Sequence, residues 1–235
     1  MSTEYSAAVY NSAAPASLPV RLATYQRRKM FERFLQRFGL PDPAAEILDI
    51  GVTCDQDYES SNYLEAWYPH KARILAAGID DASFLETLYP GMRFLRANAL
   101  DMPLPDQSFD IVHSAAVIEH VGAFANQVQM VRECARLARR GLFLTTPNRW
   151  FPVEFHTVLP LLHWLPKPQF RSALRAMGKG FFAEESNLNL MSAGELLRAA
   201  ETAAGDQFDF RVETEALGGW PANLLLIGMR RGAGN

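Results

Sequence analysis

Glu119 and His120 stand side by side a few residues after the apolar run Phe109-Asp110-Ile111-Val112, and His156 follows in a segment rich in proline and tryptophan. An imidazole beside a carboxylate can take a proton from a neutral nucleophile and be stabilised as the imidazolium. These three are therefore candidate catalytic residues. Each also has a structural reading: His120 as a support for the following helix, Glu119 as an acid at that helix's N-terminus, and His156 as a packed residue bonded to backbone. Upstream, polar residues close successive apolar runs. Asp49 and Gly51 close Glu46–Ile50, Asp80 closes Arg73–Ile79, and Asn98 closes Met92–Ala97. Polar groups gathered at strand carboxyl ends mark the ligand crevice of an open α/β sheet. An acid after the second strand can accept bonds from both ribose hydroxyls; an amide after the third can meet an adenine edge.

The elements that must position these residues alternate. Apolar residues at helical spacing from Leu22 to Phe38, with Arg and Lys between them, predict an amphipathic helix over Val20–Phe38, stopped by Gly39 and Pro41. Strands are expected at 46–51, 73–80, 92–97, 109–114 and 141–147. Helices are expected near Tyr63–Tyr68, Ala82–Leu88 and Val121–Ala138. Ser192 with Glu195 three residues on predicts a capped helix. Phe208–Leu217 and Asn223–Arg230, joined at Gly218-Gly219, predict two antiparallel strands at the sheet edge. The expectation is an α/β, doubly wound, mostly parallel seven-stranded Rossmann-like sheet with an antiparallel last strand. Residues 1–45 read as an arm followed by the basic helix, which would close over a ligand or pair with another subunit. Residues 46–235 read as one domain. Residues 148–190 interrupt the rhythm as a lid-like insertion over the carboxyl edge, with Phe151, Phe155, Leu159, Leu162 and Trp164 available to line an apolar pocket.

A net charge of −3 carries no electrostatic footprint for nucleic acid. The basic clusters Arg27-Arg28-Lys29 and Arg139-Arg140 read as solvated helix faces or ends. Cys54 and Cys134 form neither a disulfide framework nor a metal-ligand pattern, so no metal is expected and a reduced, cytoplasmic setting fits. No apolar run reaches the roughly 20 residues needed to span a bilayer. A monomer or homodimer acting on a small molecule is the expectation.

The run Asn98-Ala99-Leu100-Asp101-Met102-Pro103-Leu104-Pro105, leading into Ser108–Val112 and Glu119-His120-Val121, resembles the class I S-adenosylmethionine-dependent methyltransferases, in particular the small-molecule group. The resemblance covers about residues 46–147, with weaker echoes in the last helix and strands. It implies S-adenosyl-L-methionine as cofactor and methyl transfer to a small-molecule, lipid or glycan-type acceptor, O-methylation first. Asp49, Gly51 and Thr53 would then line the methionine part, and Asp80 would hold the ribose. Asn98, Ala99 and Leu100 would meet the adenine, and His113 and Ser114 would border the sulfonium. The stretch Thr146-Pro147-Asn148-Arg149 with its Trp-rich extension is similar to methyltransferases of bacterial cell-surface and secondary-metabolite pathways.

One departure matters. The family carries glycines at alternate positions after the first strand, where this chain reads Asp49-Ile50-Gly51-Val52-Thr53-Cys54-Asp55 and keeps only the first. Side chains at 53 and 55 hinder close backbone approach, which favours a second reading: a binding or scaffold protein with the same fold and no activity. A nicotinamide-dependent oxidoreductase fits worse, because Gly-x-Gly-x-x-Gly is missing and Asp55, Asp57 and Glu59 would repel a pyrophosphate.

Overall fold

The computed structural model describes residues 18–232; most of the expected N-terminal arm lies outside them. The strands are β1 (Ile47–Ile50), β2 (Ile74–Gly78), β3 (Arg93–Arg96), β4 (Phe109–Ala115), β5 (Ala138–Pro147), β6 (Phe208–Leu217) and β7 (Trp220–Arg230). They form one seven-stranded sheet in the order β3-β2-β1-β4-β5-β7-β6, with β7 antiparallel to both its neighbours. The helices are α1 (Leu18–Phe38), α2 (Tyr63–Trp67), α3 (Phe84–Leu88), α4 (Phe124–Leu137), α5 (Lys167–Ala176), α6 (Gly180–Ala183) and α7 (Ala193–Ala204).

Central strands buried on both faces leave no room for polar alternation, and β1 and β2 are accordingly buried along their whole length. One face packs Leu48, Ile50, Val112, Leu142 and Leu144 under α4 and α7. The other packs Ile47, Ile111, Phe143 and Ile227 under α1, α2 and α3. Parallel register sets the row that matters most. Asp49 lies opposite His113, and His113 opposite Phe143, so their side chains share the α1 face.

The basic helix α1 is part of this layer. Met30, Phe31, Phe34 and Phe38 repeat at helical spacing and are buried against the sheet, each stabilising by about 1.5–3 kcal/mol relative to exposure. Its basic face is engaged within the chain, which corrects the solvated reading. Lys29, Arg33 and Arg37 pair with Glu213 and Glu215 of β6, Arg27 donates to Ser60, and Arg28 lies over the Trp67 ring. Arg139 likewise pairs with Asp110.

The insertion leaves and returns at one place. Asn148 bridges Met191, and the Arg149 N–H donates to the Met191 carbonyl. Between these ends α5 and α6 enclose a small core of their own, Phe170, Leu174, Ala183, Leu188 and Leu190, with Leu159 and Leu162 packed against it. Ser192 and Glu195 form the expected reciprocal cap on α7. No helix among the described residues is long and apolar enough to cross a membrane.

Candidate active site

Beyond β4 the chain turns sharply through Ala116, whose φ is 55°, into a 3-10 turn at Ile118–His120. That turn is held from two sides. The Gln127 amide of α4 donates to the Ile118 and Asn189 carbonyls, the Asn189 N–H donates to the Glu119 carbonyl, and the Asn189 side-chain amide donates to the Gly122 carbonyl. The insertion's return is thereby stitched to the strand end where the expected catalytic residues sit.

The structure brings Glu119, His120 and His156 together from 36 residues apart. The His120 and His156 rings meet edge to face at 4.8 Å between centroids. His120 Nδ1 donates to the Asn187 carbonyl at 2.7 Å, and His120 Nε2 lies 3.8 Å from Glu119 Oε1. Glu119 is fully buried; its Oε2 accepts from the Thr146 hydroxyl at 2.8 Å. The residue that sequence reasoning missed is Glu154. Its carboxylate accepts the His156 ring Nδ1–H at 2.7 Å, the His156 backbone N–H at 2.9 Å and the Thr157 N–H at 2.6 Å. The only signal for it is an acid two residues before a histidine in an otherwise apolar run.

These contacts decide the charges. Burial alone would raise Glu154, but the His156 bond and charge and the Thr157 bond outweigh it and hold the carboxyl at about 2. Burial would lower His156, but Glu154 and then Glu119 raise it above its ordinary value. Burial and the charge of His156 push His120 down to about 3. Burial raises Glu119. The two imidazoles are thus shifted in opposite directions, His156 toward holding a proton and His120 away from it. The loop carrying His156 is itself constrained: Val158 and Leu161 have φ of 56° and 59°, conformations that cost about 1–3 kcal/mol each.

The expected cofactor residues divide into two groups. Asp80 is half-exposed and Asn98 exposed at the neighbouring ends of β2 and β3, followed by half-exposed Ala99 and Leu100. Asn98 Oδ1 accepts the Leu100 N–H at 3.0 Å, which shapes that bend. Glu133 and Arg136 of α4 bind the backbone just beyond, at Met102 and Leu104. Gly51 is exposed, with φ of 100°, and a Cβ there would lie 2.0 Å from Val117 Cγ2.

The loop beyond Gly51 closes on itself. Buried Asn62 accepts the Thr53 N–H at 2.9 Å and donates to the Thr53 carbonyl at 3.0 Å, while Asp55 accepts from Ser61 and from the Asp57 N–H. Thr53 is thus bound on both sides of its backbone within the protein.

The Asp49, His113 and Ser114 side chains are buried. The His113 ring is fully buried, with Nδ1 2.6 Å from Asp49 Oδ1 and Nε2 2.9 Å from the Tyr63 hydroxyl. Ser114 Oγ donates to the Ile50 carbonyl. These bonds tie β1, β4 and α2 to one another. Glu65, fully buried beside Asp49, has no N–H or O–H donor among the described residues. Burial and then the Asp49 charge push Glu65 well above its ordinary value. Burial also pushes Asp49 up to about 7 and His113 down to about 4.

Of the aromatic residues expected to line a pocket, Phe151 and Phe155 stack on each other, and Trp164 meets Trp150 edge to face and stacks on Trp220. Leu159 and Leu162 go instead to the insertion's own core. His163 donates from Nε2 to the Phe151 carbonyl and is structural.

The strand order with its antiparallel seventh strand makes a Rossmann-like α/β fold, mostly parallel, with polar residues at the strand ends. Residues 63–145 match the family described as a methyltransferase domain. A stretch of 81 residues is 37% identical to a probable S-adenosylmethionine-dependent methyltransferase of Mycobacterium tuberculosis, covering 33% of this chain and 28% of that protein. It is 36% identical to another from Mycolicibacterium smegmatis, covering 33% and 30%. The chain therefore matches under a third of the length of these curated relatives. Among solved structures, magnesium protoporphyrin IX methyltransferase from Synechocystis superposes with a TM-score of 0.57 at 13% identity, over 94% of this chain and 91% of that one. A possible histamine N-methyltransferase from Thermotoga maritima gives 0.55 at 15%, over 91% and 92%.

Proposed function

We propose that this protein transfers a methyl group from S-adenosylmethionine to a hydroxyl of a small-molecule acceptor held between the β4 end and the insertion. The observation that carries this reading is the convergence of Glu119, His120, His156 and Glu154 at that strand end. A hydroxyl must lose its proton as it attacks carbon, and an imidazole fixed by a carboxylate is suited to take it. The Glu154–His156 pair is the proton holder; Glu119 and His120 orient the acceptor oxygen.

The crevice residues fit the cofactor. Asp80 would hold the ribose hydroxyls, Asn98, Ala99 and Leu100 the adenine, and the backbone at Gly51 the methionine part. Asp55, Asp57 and Glu59 on the adjoining loop suit a ligand bearing a sulfonium and an ammonium and disfavour a pyrophosphate. When bound, the cofactor supplies the activated methyl group; the chain supplies orientation and proton transfer. The exposed Phe155 and the Trp150–Trp164–Trp220 cluster favour an acceptor with an apolar part.

Closure of the loop through Asn62 favours one other reading, a fold-retaining scaffold without cofactor. Calorimetric titration with S-adenosylmethionine and S-adenosylhomocysteine separates the two. The enzyme reading expects both to bind, and Asp80→Ala to weaken binding by about tenfold or more through loss of charge-assisted hydrogen bonds. Absence of binding by the folded protein would leave the scaffold.

A further inference from the structure

We propose that Glu119, His120 and His156 form a site for one divalent transition-metal cation, with Glu154 and the Asn187 carbonyl as outer partners of the two imidazoles. One ligand atom from each of the three residues lies within 4.8 Å of the others, so a single ion can be reached by small side-chain adjustments. Both histidines carry the outer hydrogen bond that fixes a ligating ring, Nδ1 of His120 to a backbone carbonyl and Nδ1 of His156 to a carboxylate. Such a bond sets the tautomer that leaves Nε2 as the ligand atom.

An independent observation points the same way. Glu119 Oε1 is buried and has no hydrogen-bond partner among the described residues, although Oε2 is satisfied by Thr146. An unsatisfied buried carboxylate oxygen costs several kcal/mol as a rule, and a cation removes that cost. The two buried carboxylates, Glu119 and Glu154, balance its charge.

Two imidazoles and one carboxylate favour a borderline ion such as Zn²⁺ over Mg²⁺ or Ca²⁺. Three protein ligands leave a coordination position open, the arrangement of catalytic rather than structural sites. An acceptor hydroxyl coordinated there would be made more acidic and would release its proton to solvent water, with the imidazoles serving as ligands. Only this last step rests on the methyl-transfer reading; the cation site stands without it.

The test uses the full chain with neither cofactor nor acceptor. After removal of metal by chelation, titration calorimetry with Zn²⁺ is expected to show one equivalent bound, with Mg²⁺ giving no heat. His120→Ala, His156→Ala and Glu119→Gln are each expected to weaken Zn²⁺ binding by about tenfold or more, and Glu154→Gln by about tenfold. In the unaltered protein, Zn²⁺ should protect His120 and His156, but not half-exposed His70, from diethyl pyrocarbonate, as read by peptide mass spectrometry. This arm holds even where a variant fails to fold. No Zn²⁺ uptake, or uptake with His120 and His156 modified as fast as without metal, would overturn the site whatever the protein's methyl-transfer activity.

Discussion

Two carboxylate–imidazole pairs in this molecule look alike in distance and differ in state. In the sheet layer, His113 meets Asp49 at 2.6 Å and is pushed down to about 4. At the β4 end, His156 meets Glu154 at 2.7 Å and is raised. Both imidazoles lie away from bulk water, so the partner decides. Glu154 receives three N–H bonds and stays ionised, which raises its histidine. Asp49 shares its surroundings with Glu65 and is pushed up to about 7, so it lends His113 little charge. A carboxylate near a histidine therefore does not define a working pair; the bonds that keep the carboxylate ionised do.

The largest expected effect sharpens this contrast. His156→Ala should lower turnover by about 10²–10⁴-fold with S-adenosylhomocysteine affinity and Tm little changed. His113→Phe should lower Tm and leave the turnover of the folded fraction intact. If both variants lost turnover without loss of stability, the contrast would fail.

Next comes Gly51, the shoulder between the crevice and the catalytic turn. Gly51→Ala places a methyl against Val117 in a left-handed backbone and should cost about 2–3 kcal/mol in urea unfolding. Val117→Ala in the same chain should recover part of that loss, whereas full additivity would show that the two residues do not collide.

The sealed cluster also predicts a pH dependence. An acid raised in the native state binds a proton there that the unfolded chain releases, so stability falls as pH rises from its unfolded toward its folded value. Asp49 does this between 3.8 and about 7, and Glu65 acts with the same sign from 4.5 upward. His113, lowered from 6.5 to about 4, acts oppositely between those values. Asp49→Asn removes one falling contribution, so between pH 5 and 6.5 its stability should gain on the parent by about 1.4 kcal/mol per pH unit at most. Parallel stability curves for variant and parent would remove Asp49 from the titrating chain. The smallest effect is a control outside both clusters: Ser192→Ala removes the cap of α7 and should cost about 1 kcal/mol, with turnover unchanged.

Much of the frame was legible because strand burial and helical spacing are local signals. Asp49, Asp80, Asn98 and Glu119-His120 were visible as polar residues closing apolar runs. Their orientation was not: whether Asp49 faces the crevice or α1 depends on register with His113, a long-range fact. Glu65 and Glu154 escaped notice because nothing local distinguishes a buried acid from a surface one. Asn62 escaped because its role depends on where a loop folds back. His120 and His156 were legible as separate candidates by residue type, but their convergence was not; the Asn189 and Gln127 bonds that fix the His120 turn join three separate segments.

The Asn148–Met191 bridge has an evolutionary meaning. Because the excursion begins and ends at one point on the domain, its length is nearly decoupled from the stability of the sheet; doubling such a loop adds only about 0.6 kcal/mol of closure entropy. The return of the excursion is the exception, because Asn187 and Asn189 hold His120 and the Glu119 turn. A rewritten outer part would change the wall around Phe155 and leave His120 anchored.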